Sequence, residues 1–267
     1  MKVKIITYNI LNGLCSETVP YRVDDKRKEA IAKLLEDEKP NIVVFCEACC
    51  WPLVKHDPSM DYRRFLEELA NPNPADENSF RWAPAILSNF PISSTNLSKY
   101  FRSFVRASIM LEKNNLHLDV VHPHPDLTEE ERKQFFLGVI KGRKDPYVVT
   151  GDFNSLSPID TYDLGKLIKG YEGFMGEKGK WKAEDIFQAS ALKAIMRKGM
   201  MDTYSVARRS LGYTVPTDWR NKSKDSAVRL DYIFCSDGLR IVDAGIIKND
   251  LTDMASDHYP VYAVFEI

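Results

Sequence analysis

Tyr147-Val148-Val149-Thr150-Gly151-Asp152-Phe153-Asn154, continued by Ser155-Leu156-Ser157-Pro158, decides how the rest of the chain is read. A short β-branched run passes into Gly-Asp-Phe-Asn and then into turn residues, the pattern of a buried strand that stops at one end of a sheet. Asp152 and Asn154 are two apart, so on a strand both side chains point to the same face. Gly151 leaves room for another backbone or a ligand to come close. A carboxylate beside an amide at a strand end can hold a proton donor, a cation or an anionic oxygen. The plain alternative is an Asp/Asn pair that caps a turn.

Working outward, the 267 residues are 44% hydrophobic and 28% charged, the usage of a globular chain, and we expect one domain over residues 1–267. A net charge of −1 excludes a global attraction to nucleic acid or anionic membrane and leaves only local basic patches. No secretory pattern precedes the first strand, and no apolar run reaches membrane-spanning length. Five cysteines without a signal suit a reducing, cytoplasmic setting.

Residues 2–9 (KVKIITYN) read as a strand entering a core, and Arg27–Glu38 as a helix stopped by Pro40. Residues 41–47 (NIVVFCE) form a second buried strand closed by Glu47, and Asp61–Ala70 an amphipathic helix before a Pro/Asn-rich loop at 71–78. Two short strands are expected around Pro84 within 80–92. Residues 99–113 and 116–122 then read as strands paired through Asn114-Asn115. Thr128-x-x-Glu131 is a capping box opening a helix to about Lys141. Beyond the central strand, helices are expected at 161–169 and 183–198 with a Gly/Lys-rich loop at 170–180 between them. A polar loop at 208–225 and strands at 228–235, 239–248 and 261–267 complete the chain. The economical reading is one α/β domain.

Strand ends thus supply Asn9, Glu47, His122, Asp152 and Asn154, a strand interior supplies Asp231, and a loop end supplies Asp257-His258. An unpaired carboxylate beside hydrophobic strand sequence is costly, so seven such coincidences are hard to read as independent caps. Carboxylates, amides and two histidines suit a hard divalent cation with a phosphate and suit zinc poorly.

Asn9 in ITYN, Glu47 in VFCE, His122 after LDVV, Gly151-Asp152-Phe153-Asn154, Arg229-Leu230-Asp231-Tyr232-Ile233 and Ser256-Asp257-His258 follow, in order, the motif series of the endonuclease/exonuclease/phosphatase superfamily, and from Thr7 to Val261 the chain resembles that DNase I-like group. The resemblance implies an α/β (α+β) four-layer sandwich, two packed mixed β-sheets flanked by helices. It also implies a divalent-metal phosphoesterase using Mg²⁺ (or Mn²⁺). Glu47 resembles the principal metal ligand with Asn9 beside it, and Asp257 a second metal-side carboxylate. His258 resembles the general base whose tautomer Asp231 fixes. Asp152 and Asn154 resemble the pair that positions water or steadies the pentacovalent phosphorus, and His122 the donor to a non-bridging oxygen. Either His258 or Asp152 activates the water, with one metal ion or two. Leu11 and Cys46 replace an acidic residue and a glutamine usual in DNA-repair members, which lowers the case for an abasic-site nuclease.

The expected partner is a phosphate-ester substrate, a phosphodiester before a small phosphomonoester, with nucleic acid among the diesters. A monomer acting without a membrane is expected. Against catalysis stands a scaffold that binds a phosphorylated partner without turnover. Cys46, Cys49 and Cys50 lack companions for a metal site and read as incidental thiols. A Ser155/His122/Asp152 hydrolase lacks the Gly-x-Ser-x-Gly elbow. The aromatic and basic run 99–106 (KYFRSFVR) is explained by strand alternation, and 220–224 (RNKSK) as either a phosphate grip or a solvated loop. His117 and His56 read as surface histidines.

Overall fold

Alternation governs how the strands stack, because a strand buried on both faces needs apolar residues at odd and even positions alike. The computed structural model describes residues 1–15, 22–49, 52–70, 82–97, 104–112, 114–208, 210–217 and 226–267. β1 (Lys2–Asn9), β2 (Ile42–Cys49), β3 (Leu53–His56), β4 (Ala83–Ser88), β11 (Arg240–Ile246) and β12 (Val261–Glu266) form a mixed sheet in the order β11-β12-β1-β2-β4-β3. β5 (Ile92–Leu97), β6 (Phe104–Met110), β7 (Asn115–Val121), β8 (Tyr147–Asp152), β9 (Met201–Asp202) and β10 (Asp231–Cys235) form the second, ordered β5-β6-β7-β8-β10-β9.

The facing sides of the sheets share one core: Val3, Ile5, Val44 and Cys46 of the first sheet meet Leu118, Val120, Val148 and Ile233 of the second. Thr7 and Thr150 hydrogen-bond across this interface. The outer face of the first sheet, with Ile6, Tyr8, Val43 and Phe45, is covered by α1 (Asp25–Glu38), α2 (Tyr62–Ala70) and α8 (Asp250–Ala255). That of the second packs Phe153, Tyr232 and Phe234 against α3 (Glu129–Lys141) and α6 (Ser190–Met196). The result is the four-layer, DNase I-like sandwich expected. Burial at about 25 cal/mol per Å² of apolar surface is its main support.

Several local expectations change. Among the described residues a single strand, β4, runs through Pro84 (residues 80–81 of the expected pair lie outside them), with β2 bulged between Phe45 and Cys49 so that Pro84, which has no N–H to donate, falls opposite the interruption. Residues 170–180 are largely helical, in α4 (Leu164–Met175) and α5 (Lys178–Phe187). Glycine there serves close packing: a Cβ on Gly179 would lie 2.3 Å from Glu172 N and the Tyr171 backbone. The helix expected over 183–198 breaks at Ala189, which has φ 50°, into α5 and α6. Asp231 opens β10 instead of lying within it. The short α7 (Thr203–Ala207), β3 and α8 carried too few apolar repeats to be read. The loop at 71–78, residues 98–103 and the 220–224 cluster lie outside the described residues.

Candidate active site

The interior stripe of each central strand ends in a polar residue. Val3 and Ile5 lead to Thr7 and Asn9, Leu118 and Val120 to His122, Val148 and Thr150 to Asp152, and Cys235 and Ile233 to Asp231. The hydrophobic layer between the sheets therefore turns polar at one end. Asn9, His122, Asp152 and Asp231 are each at most 2% exposed.

Glu47 departs from this logic. Val43 and Phe45 face α1 and α2, so regular alternation would send Glu47 to the helices. Its φ of 51° at the β2 bulge turns it back toward Asn9, a left-handed conformation costly for a non-glycine residue. Asn9 Nδ2 donates to Glu47 Oε1 at 3.2 Å and to Asp152 Oδ2 at 3.1 Å, bridging the two carboxylates. The other Glu47 oxygen accepts Asn12 N at 3.0 Å, from a turn in which Leu11, Asn12, Gly13 and Leu14 all have φ between 49° and 64°.

Gly151 serves as the sequence suggests: its φ is 142°, and a Cβ there would meet Val121 O at 1.9 Å. This close approach keeps β7 and β8 together where His122 and Asp152 emerge. His122 Nε2 lies 3.6 Å from Glu47 Oε1 and 3.7 Å from Asp152 Oδ2. His124, two residues on, is exposed and accepts Asp126 N, so it does not share the site.

Asp152 and Asp231 are direct cross-strand partners on β8 and β10. Like charges so placed repel, and His258 lies between them. Its Nδ1 bonds Asp231 Oδ2 at 2.7 Å, and its Nε2 lies 3.9 Å from Asp152 Oδ2. Burial pulls the His258 imidazole down, but Asp231, then Asp152 and Asp257, outweigh it and push the group well above its ordinary value. Burial raises Asp152, reinforced by Asp231 and opposed by His258, His122 and the Asn154 N–H.

Two expected residues stand apart. Asn154, at φ 49°, gives its backbone N–H to Asp152 Oδ1 at 2.9 Å and its Nδ2 to Pro123 O at 3.1 Å, tying the loop after β8 to the segment after His122. Asp257 lies 3.3 Å from Ser256 Oγ, and no hydrogen bond or ion pair joins it to Glu47 or Asn9 among the described residues. Ser256 Oγ donates to Asn9 O at 2.7 Å and so seats the Ser256–His258 segment on β1.

Three positioning residues escaped the sequence reading. Arg27, Arg132 and Arg229 are the bulkiest fully buried side chains among the described residues. Arg27 donates to Ile10 O, Leu11 O, Cys15 O and Ala255 O, joining the exit of β1 to the end of α8. Arg132 donates to Pro125 O and pairs with Glu129, which accepts Ser155 Oγ and Ala191 N. Arg229 is gripped by Asp160 and Asp202, at 2.9 and 2.7 Å, between the Tyr204 and Tyr232 rings, two residues before Asp231. The one available signal was an arginine inside apolar sequence, Arg229 in RLDYIF.

A hard divalent cation fits this donor set. Carboxylate oxygens of Glu47 and Asp152 meet at Asn9 Nδ2, Asp231 Oδ1 is buried with no hydrogen-bond partner among the described residues, and a carboxylate oxygen from each of Asp152 and Asp231 and a ring nitrogen of His258 lie within 4.8 Å of one another.

A two-sheet sandwich with acids and histidines gathered where its central strands end defines the class: a hydrolase of the DNase I-like fold. A sequence profile described as the Endonuclease/Exonuclease/phosphatase family matches residues 6–258, and the chain belongs to that family of hydrolytic phosphoesterases. A sequence search of curated proteins gives no match. The fold is shared with an AP endonuclease from Archaeoglobus fulgidus at TM-score 0.66 and 18% identity, covering 99% of this chain and 100% of that one. A humanized D. rerio TDP2 aligns at 0.62 and 17%, covering 100% and 99%. A 3′ phosphatase, NExo from Neisseria, bound to product DNA hairpin, aligns at 0.62 and 17%, covering 99% and 100%. Among the described residues no helix is long and apolar enough to cross a membrane.

Proposed function

We propose that this chain is an Mg²⁺-dependent phosphodiesterase, one catalytic domain over residues 1–267, hydrolysing its substrate by in-line attack of water. The observation that carries the reading is His258 held between Asp231 at 2.7 Å and Asp152 at 3.9 Å, at the convergence of four strand ends. Asp231 accepts the Nδ1 proton and leaves Nε2 facing the site, where it takes the proton of the attacking water. Asp152 orients that water. His122 donates to a non-bridging phosphate oxygen, and Asn154, through Pro123 O, holds the His122 segment in place. Glu47 would hold the cation, Asn9 fixes the Glu47 carboxylate, and Asp257 would supply a further carboxylate to the ion. When bound, the cation neutralises charge on the phosphoryl oxygens and offsets the carboxylates that raise His258. Neighbours whose names concern DNA support nucleic acid as one phosphodiester substrate.

The test measures release of p-nitrophenol from bis-p-nitrophenyl phosphate and p-nitrophenyl phosphate with Mg²⁺, Mn²⁺ or EDTA. Mg²⁺-stimulated cleavage favouring the diester is expected. Preference for the monoester replaces the reading by a phosphomonoesterase. No metal-stimulated release from either compound, or from DNA or RNA, replaces it by a phosphate-binding scaffold.

A further inference from the structure

The outer face of the second sheet is not apolar throughout. Where α3 ends, a straight row of polar side chains crosses four strands: Ser94 of β5 pairs in register with Ser108 of β6, Ser108 with His117 of β7, and His117 with Tyr147 of β8. This row floors a recess of about 350 Å³ whose rim carries Arg143 and Lys144 from the loop between α3 and β8. A sheet face left uncovered by helix can be polar for solubility alone. A concave one, ringed by cations and with no carboxylate in its lining, is a binding shape.

Its groups are prepared for a ligand in two ways. Arg106, also in the wall, is locked: its guanidinium meets Asp119 at 2.8 and 2.6 Å and donates to Val139 O and Gly142 O. Gly142 makes this possible, since a Cβ there would lie 2.8 Å from Arg106 Nη1. Tyr147 Oη donates to the same Asp119, so the acid, on the same face of β7 two residues beyond His117, is engaged by both. By contrast, the side chains of Ser94, Ser108, His117, Arg143 and Lys144 have no hydrogen-bond or ion-pair partner among the described residues. Burial, then Lys144 and Arg106, depress the His117 imidazole against the pull of Asp119 and Asp145, the balance expected where positive charge is in excess.

We propose that this recess binds a small phosphate anion, with Arg143 and Lys144 supplying uncompensated charge, Ser94, Ser108 and His117 supplying hydrogen bonds, and Arg106 forming a fixed cationic wall. The geometry suits tetrahedral oxygens: a fork and an ammonium from above, hydroxyls and an imidazole from below. It is separate from the catalytic centre. His117 of β7 lies five residues before His122, which directly follows the strand, so roughly 16 Å of extended chain separates the two sites. The inference does not depend on what the catalytic centre hydrolyses.

Isothermal titration of the full chain in EDTA, with inorganic phosphate, pyrophosphate and ADP as probes, tests it. One pyrophosphate per chain is expected. Arg143→Ser with Lys144→Ser should weaken binding at least tenfold, and Ser108→Val several-fold, with melting midpoint and turnover unchanged. Glu47→Gln, in the catalytic centre, should leave the affinity as it is. Pyrophosphate binding more tightly than ADP makes the free anion the occupant, and the reverse order makes it a nucleotide phosphate. No binding by the wild type, affinity within twofold of wild type in the double variant, or loss of binding in Glu47→Gln overturns the proposal.

Discussion

At the scale of the residue, the site depends on which way a few side chains are turned. His258 meets Asp231 through one nitrogen and faces Asp152 with the other. His258→Ala should lower kcat by about 10²–10⁴ while Mn²⁺ binding, followed by titration calorimetry, persists. Activity within a few-fold of wild type would mean another group takes the proton. After burial, which acts downward, Asp231 is the largest influence on the imidazole. Asp231→Asn should therefore move the His258 titration, followed by NMR in EDTA, to lower pH. The sign follows from linkage. A histidine raised in the folded state adds stability below its unfolded pKa, and that stability is lost as pH rises through the folded value, so Asp231→Asn should narrow this window from its alkaline side. An unmoved titration would show that Asp231 does not govern the ring.

At the scale of the element, loops are held by buried contacts between strands and helices. Gly151→Ala places a methyl against Val121 O at a backbone angle only glycine adopts easily, and should cost more than about 2 kcal/mol in urea unfolding. A smaller loss would mean that β7 and β8 can separate locally without consequence. Lys182 of α5 donates to Pro125 O and to Leu127 O, the segment that follows His122. Burial first, with Arg132, lowers its pKa to about 8. Between that value and the ordinary lysine range the unfolded chain holds a proton that the folded chain has released, so folding gains stability as pH rises through this interval. The melting midpoint of wild type minus that of Lys182→Met should therefore climb from about pH 7 to about pH 10. A flat difference would place the ammonium in water.

At the scale of the whole molecule, the site exists only because two sheets and the α8–β12 connection bring residues 9 to 258 together. A cation bound at that junction stabilises the folded state alone, by about 2.7 kcal/mol at a hundred times its dissociation constant. Saturating Mg²⁺ should raise the melting midpoint of the wild type, EDTA should reverse it, and Glu47→Ala should remove most of the effect. An equal Mg²⁺ shift in Glu47→Ala would move the metal away from Glu47.

Sequence alone determined the buried strands and the set of polar strand ends, while the layering followed only from the motif resemblance. Strand period is two and buried strands must be apolar, so Asn9, His122, Asp152 and Asp231 stood out against hydrophobic neighbours. Alternation by itself would turn Glu47, which the motif places in the site, toward the helices, and a bulge with a left-handed residue turns it inward. Alternation was silent on Arg27, whose carbonyl partners lie up to 228 residues away along the chain, and on the packing role of Gly179. Only tertiary structure decided these, and the polar row from Ser94 to Tyr147, because local pattern reports which face a side chain takes and not which distant backbone or neighbouring strand that face meets.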